Sequence, residues 1–222
     1  MDYRQILEKN EITLYGGAIL PEKLRIDAEM KYAVSFAVPL PDPVVDPVEK
    51  GPTKTYFHHY RTCNAFLDQF AFRLVQAMMR EGYQAMYVPA SQSVSDDGFK
   101  GLFSHKAAAC LAGLGGIGDN DLLVTKKYGC RVRLGTVLTN MPVLCDTPIE
   151  NPCNHCGICV KACPCGALLG AAWPQNDTAK IVDVERCSMH MKRAYQKIGR
   201  GAVCGICMAI CPVGRKKMFK QG

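Results

Sequence analysis

The sequence predicts an α/β (α+β) chain in two parts, a mixed α/β domain over residues 1–148 and a smaller cysteine-rich domain over 149–222. Three observations lead there. Apolar residues recur at helical spacing through a long central stretch, and short apolar runs bounded by Gly and Pro lie on either side of it. The 13 cysteines are unevenly placed, four before residue 150 and nine in the last 72, which puts the boundary near Pro148 to Pro152.

Taken in order, Tyr32 to Val38 is a short apolar run. It reads as a strand stopped by Pro39-Leu-Pro41-Asp-Pro43, because proline has no N–H to give a ladder; a loop then continues to about Pro52. From Thr55 to Arg80, Tyr60, Cys63, Phe66, Leu67, Phe70, Leu74, Val75 and Met78 fall three or four apart and share one helical face. Arg80 in the last turn and Gly82 just beyond it stop that helix. A strand at Ala85 to Val88 follows, then a loop from Ser91 to Gly98 whose Asp-Asp-Gly favours a turn. A second helix is expected over Phe99 to Leu114, with strands at Leu122 to Thr125 and Val132 to Thr139. No repeat of solenoid length is visible, although the two cysteine motifs read as relics of a duplication.

With 48% hydrophobic and 21% charged residues the chain can build a core, which sets aside disorder and coiled coil. Thirteen cysteines in 222 residues fall below the roughly 8–10% of disulfide scaffolds. Met1 to Asn10 carries Asp2, Arg4, Glu8 and Lys9 with no apolar core of a signal peptide, and no Arg-Arg pair occurs. A cytoplasmic address is therefore expected, where thiols stay reduced and clustered cysteines mean metal or redox chemistry. The longest uncharged runs, such as Leu134 to Cys145, are about a dozen residues and too short to span a bilayer.

Cys153-x2-Cys156-x2-Cys159-x3-Cys163-Pro164 matches the bacterial ferredoxin run. Cys187, sixteen residues, then Cys204-x2-Cys207-x3-Cys211-Pro212 supplies the matching half. In two-cluster ferredoxins the cysteine before proline ligates the other cluster. That rule assigns Cys153, Cys156, Cys159 and Cys211 to one 4Fe–4S cluster, and Cys163, Cys187, Cys204 and Cys207 to a second. Structural zinc also uses paired Cys-x2-Cys motifs, but gives no reason for both Cys-Pro endings. Gly157 and Gly205 leave backbone donors free to approach sulfur, which tunes reduction potential. Of the remaining cysteines, Cys63 and Cys110 read as small buried hydrophobes, while Cys130, Cys145 and Cys165 stay unassigned. Each cluster adds roughly −2, so the formal charge of +7 falls to about +3.

Gly113-Leu-Gly115-Gly116-Ile-Gly118 satisfies G-x-G-x-x-G, but it follows a helix where a dinucleotide fold needs a strand. The glycines are read instead as a tight turn that lets a backbone or a flat cofactor come close. That makes Gly113, Gly115, Gly116 and Gly118 candidate cofactor-binding positions.

His105-Lys-Ala-Ala-Ala-Cys-Leu-Ala-Gly-Leu-Gly-Gly-Ile-Gly118, Asp119-Asn-Asp-Leu-Leu-Val-Thr125, Tyr128-Gly129 and Arg131-Val-Arg-Leu-Gly-Thr-Val-Leu-Thr139, followed by the cysteine motifs, resemble the epoxyqueuosine reductase family. More distantly they resemble the catalytic region of reductive dehalogenases. The resemblance runs from about Tyr56 to Pro212. It implies a nitroreductase-like α/β domain joined to a two-cluster ferredoxin-like domain, with a cobalamin held between them and electrons passing through the clusters to cobalt. In that family an acidic proton donor precedes a Glu-Arg pair upstream of the glycine turn. Here His105-Lys106 stand at the pair, Phe99 at the acid, and Asp97 close by. The family continues past its second Cys-Pro into helical repeats that help hold tRNA, whereas this chain stops ten residues after Pro212, and so reads as a short form.

Two functions follow. One is an oxidoreductase that reduces a small or nucleoside-like substrate at a cofactor, cobalamin before flavin, in a cleft beside Gly113 to Gly118. His105 is its first candidate proton donor because imidazole titrates near neutrality, with Asp97 second; the alternative for His105 is a helix residue hydrogen-bonded to backbone. His58 and His59 point to different helical faces and do not form one site, while Tyr56 and Tyr60 line the cleft or face the core. The other function is an electron carrier or reductive activator serving a corrinoid partner enzyme. Expected partners are a low-potential electron donor protein, a corrinoid protein and a second copy of the chain. Lys192-Arg193, Lys197, Arg200 and Arg215-Lys216-Lys217 read as a solvated face or a surface for an acidic redox partner, not a nucleic-acid site.

Overall fold

The computed structural model describes residues 2–91, 93–94, 96, 99, 101–170, 181–199 and 203–215. In chain order its principal elements are α1 (Tyr3–Lys9), β1 (Leu14–Ile19), β2 (Tyr32–Pro39), α2 (Asp42–Val45), α3 (Lys54–Arg80), β3 (Ala85–Val88), α4 (His105–Leu111), β4 (Gly116–Ile117), β5 (Leu123–Val124), β6 (Val132–Thr139), α5 (Ile158–Ala162), α6 (Val184–Tyr195) and α7 (Ile206–Ala209). Strands β1, β2, β6 and β3 form one sheet in that order, each pair antiparallel.

Both faces of this sheet are covered. On one, Leu67, Phe70, Ala71, Leu74, Val75 and Met78 of α3 pack with Tyr3 and Leu7 of α1 against Val34, Phe36 and Val137. On the other, α4 sets Ala108 and Ala109 over Ala33, Ala37 and Leu138. This explains why β2 reads as an apolar run, with even Ser35 in its middle buried. Small residues bring α4 close: a Cβ on Gly16 would lie 2.2 Å from the Ala112 carbonyl oxygen.

The strand at Ala85–Val88 and the one at Val132–Thr139 match the expectation, and α3 begins one residue earlier, capped by the Thr53 side chain. The helix expected over Phe99–Leu114 is shorter. Ser104 caps its start by accepting from Ala107 N–H, and Gly113, at φ +72°, lies just past its end. The strand expected at Leu122–Thr125 is only Leu123–Val124, paired with Gly116–Ile117. Helix α1 and strand β1 were not anticipated, β1 because Gly16-Gly17 hides its strand pattern.

The cysteine-rich part holds two copies of one device. Cys156-Gly-Ile-Cys159 and Cys204-Gly-Ile-Cys207 each place a glycine at positive φ, +68° and +87°, as the N-cap of a short helix. This part shares a core with what precedes it: Val203, Met208 and Ala209 pack with Leu40, Val45, Val48, Tyr56 and Phe57. Arg131, 2% exposed, pairs with Asp42 at 2.8 Å and Asp46 at 2.7 Å and donates to the Ala209 carbonyl at 3.1 Å. Gly129, at φ +53°, meets the chain after Cys211 so closely that a Cβ would lie 1.8 Å from the Val213 carbonyl oxygen. The composition changes near residue 148, but apolar packing is continuous across it. No helix among the described residues is long and apolar enough to cross a membrane.

Candidate functional site

Folding gathers the cysteines into two groups. Cys153, Cys156, Cys159 and Cys211 line one small cavity beside Asp119 and Asn120. Cys163, Cys187, Cys204 and Cys207 line the wall of a cleft of about 560 Å³. Cys130 and Cys165 line the same cleft; apart from these two, the cavity-lining cysteines lie together as the cross-over spacing groups them.

Burial pushes Cys159 and Cys187 each up to about 11, and raises Cys204 and Cys207 as well. The two cysteines before proline behave oppositely. A hydrogen bond from Cys130 draws Cys211 down to about 7. For Cys163 burial acts upward, but N–H groups of Cys165, Ala167 and Leu168 outweigh it and the thiol falls below its ordinary range. Four converging sulfurs are costly as bare thiolates, a cost that a multivalent metal core among them would offset. Four thiolates per site, from a Cys-x2-Cys pair plus two further cysteines, is the donor set a 4Fe–4S cluster takes. Asn120 donates to the Cys207 carbonyl and to Sγ of Cys130, the cysteine that hydrogen-bonds Cys211, both at 3.2 Å.

The cleft wall away from the sulfurs carries two polar pairs. The Arg133 guanidinium lies 4.1 Å from the centre of the Tyr60 ring, and the Tyr60 hydroxyl is 2.8 Å from Ser91 Oγ. Arg133 is itself held by Asn64 Oδ1 at 2.9 Å. Burial alone would push the Tyr60 phenol up; the Arg133 charge and the hydrogen bonds around it prevail and hold it below its ordinary value. The second pair is Lys106 and Asp121, Nζ to Oδ2 at 2.5 Å, with Nζ also donating to the Asp121 carbonyl at 2.8 Å. Burial raises the Asp121 carboxyl, with Lys106 opposing.

His105 reaches the cleft but is not free to deliver a proton. Its Nδ1 is 2.8 Å from Thr136 Oγ1 and its Nε2 is 3.1 Å from the Pro89 carbonyl. The carbonyl can only accept, so Nε2–H donates to it and Nδ1 accepts from the threonine hydroxyl. Burial lowers the imidazole further, keeping it neutral. His105 therefore ties the start of α4 to β6 and to the residue after β3, the arrangement of the alternative reading, a helix residue hydrogen-bonded to backbone. Asp97 lies outside the described residues.

The glycine turn needs a correction. A Cβ on Gly113 would lie 2.5 Å from the Thr147 carbonyl oxygen, on Gly115 2.2 Å from that of Val124, on Gly116 2.3 Å from Asn151 Oδ1, and on Gly118 2.8 Å from Val124 Cγ2. The space these glycines leave is filled by the protein. They seat Thr147 to Asn151 against β4 and β5, and none of them lines the cleft, whose wall begins just after them at Asn120 to Leu123.

Sequence reasoning missed the pairing of Tyr60 with Arg133. Tyr56, Tyr60 and Asn64 do recur at i, i+4 and i+8, a legible face of α3, but Arg133 meets that face only through the sheet. Also missed was Asp119, whose Oδ1 accepts from His155 Nδ1 at 2.6 Å beside Cys153. This bond holds the loop carrying Cys153 and Cys156, in which His155 itself takes φ +54°.

No protein-family model matches the chain. Among curated proteins, the epoxyqueuosine reductase of Listeria monocytogenes is 36% identical over 121 residues, covering 54% of this chain and 32% of that protein. That of Aliivibrio fischeri is 27% identical over 185 residues, 78% of this chain and 46% of that protein. The chain thus spans less than half the length of the curated relatives it matches, about a third of most. Among solved structures, a reductive dehalogenase described for B12-dependent dehalogenation superposes with TM-score 0.74 at 20% identity, covering 96% of this chain and 31% of that one. Epoxyqueuosine reductase from Streptococcus thermophilus superposes with TM-score 0.66 at 21% identity, over 96% of this chain and 65% of that one. The chain is related in sequence to epoxyqueuosine reductases and shares the fold of these structures.

Proposed function

We propose that this relative of epoxyqueuosine reductases is an iron–sulfur oxidoreductase that carries low-potential electrons through two 4Fe–4S clusters into its cleft. The observation that carries the reading is the position of Cys163, Cys187, Cys204 and Cys207 in the wall that also presents Tyr60 and Arg133. Cys156 of the other set is exposed, so that set is where a low-potential donor protein, in the cytoplasm, delivers electrons. The clusters, when bound, supply single-electron transfer.

The cleft's remaining lining suits a flat cofactor. Tyr56, Leu122, Leu134, Val203 and Met208 give it aromatic and aliphatic walls. A cobalamin, as in the B12-dependent dehalogenation ascribed to the structural relative, is favoured there over flavin; it would supply a metal able to take up electrons and reduce a bound substrate. The chain's own residues do the rest. Tyr60 holds a proton at its phenolic oxygen, and Arg133 stabilises the phenolate left after that proton is given up. Lys106 and Asp121 offer a charged pair to orient polar groups of a small or nucleoside-like substrate.

Titrating anaerobically purified protein with cobalamin and with flavin tests this reading. A saturable corrinoid spectral change, lost when Val203 and Leu122 are enlarged to Trp, supports it. Protein that carries both clusters, binds neither cofactor and reduces a corrinoid protein in trans would replace it with an electron carrier for a partner enzyme.

A further inference from the structure

Six cysteines line the cleft; Cys130 hydrogen-bonds to Cys211 of the other set, and the remaining five, one more than a cluster takes, gather at the cleft wall. Besides the four already named, Cys165 lines it, with its Sγ 3.9 Å from Cys163 Sγ and close enough to Cys187 and Cys204 for their charges to be felt. A 4Fe–4S core binds four thiolates, so one of the five is left over.

The geometry separates ligand from bystander. Cys163 closes α5 as its C-cap, and the N–H groups of Cys165, Ala167 and Leu168 turn toward its sulfur, that of Ala167 at 3.3 Å. Donors concentrated on one sulfur are the surroundings of a thiolate that ligates metal. Cys165 instead offers a thiol beside that sulfur, and a thiol is a weak donor.

We propose that Cys165 is a non-ligating thiol whose S–H donates a hydrogen bond to Cys163 Sγ and thereby raises the reduction potential of the cluster in the cleft wall. The inference rests on the two-cluster reading above. Reduction adds negative charge to the core and its sulfurs, and a donor at one ligand stabilises the reduced form more than the oxidised one. The cleft-side cluster then holds an electron more readily than it would without the thiol, at the place where the acceptor binds.

The test is a potentiometric titration of the full chain followed by electron paramagnetic resonance, with iron counted in each sample. In Cys165→Ala iron content is expected to stay at the wild-type level. One midpoint should fall by about tenfold in its reduction equilibrium, or about 59 mV for a one-electron couple, and the other should stay in place. Cys165→Ser, which keeps a donor, should recover part of the loss. Two unmoved midpoints in Cys165→Ala would overturn the inference. So would loss of one cluster's iron in Cys165→Ala together with its retention in Cys163→Ala, because Cys165 would then be the ligand. A wild-type chain without iron would overturn the two-cluster reading itself, and is told apart by the metal count alone.

Discussion

Tyr60 and His105 show how the surroundings of a side chain decide its role. Imidazole has the more suitable ordinary pKa, yet both nitrogens of His105 are committed to Thr136 and Pro89. Tyrosine is ordinarily a poor acid near neutrality, but Arg133 on its ring lowers it. In the proposed function Tyr60 must carry its proton to act, so turnover should fall as pH rises through its lowered pKa, giving an alkaline limb below pH 10. Tyr60→Phe should cut turnover by about 10²-fold or more and remove that limb in a pH–rate profile. His105 makes the opposite kind of prediction, one of stability. Its folded pKa lies below the ordinary 6.5, so the unfolded chain binds the extra proton first. Stability is fully present above about pH 6.5 and is lost as pH falls below it. Denaturant titrations from pH 7.5 to 5 should show this slope in the wild type and a shallower one in His105→Gln.

At the scale of elements, the long amphipathic helix α3 and the strands at Ala85–Val88 and Val132–Thr139 were legible because their patterns are local. The cysteine spacing is local in the same way: if a cluster is held there, it sets the distance between its ligands along the chain, and the proposed reading rests on that distance. The role of Gly113, Gly115, Gly116 and Gly118 was not legible. A glycine records that something comes close but not what, and here it is Thr147, Val124 and Asn151. The same applies to Gly129, whose neighbour Val213 is distant in sequence. Gly129→Ala combines a positive φ with a clash against backbone that cannot rotate away. We expect it to destabilise the protein by about 1–3 kcal/mol and to lower iron retention, read by thermal melting and metal analysis of the same sample.

For the whole molecule, Arg131 links Asp42 and Asp46 to the cysteine-rich part, bonding both carboxylates and the Ala209 carbonyl at once. Nothing in the sequence near Arg131 announces this, since its three partners come from two other regions. Arg131→Met should cost about 3 kcal/mol, the low end for a broken buried ion pair, because Asp42 and Asp46 are partly exposed and can be rehydrated. Urea denaturation would show the loss as a lower midpoint at unchanged slope.

The proposed function depends on two clusters ligated across the repeat, and counting metal in anaerobically purified variants tests that most directly. The wild type should hold about eight irons and no stoichiometric zinc. Cys187→Ala should forfeit iron from the cleft-side cluster alone, leaving about four, with the signal of the other cluster intact. One zinc per cysteine set, or a Cys187→Ala chain that keeps all its iron, would contradict the account.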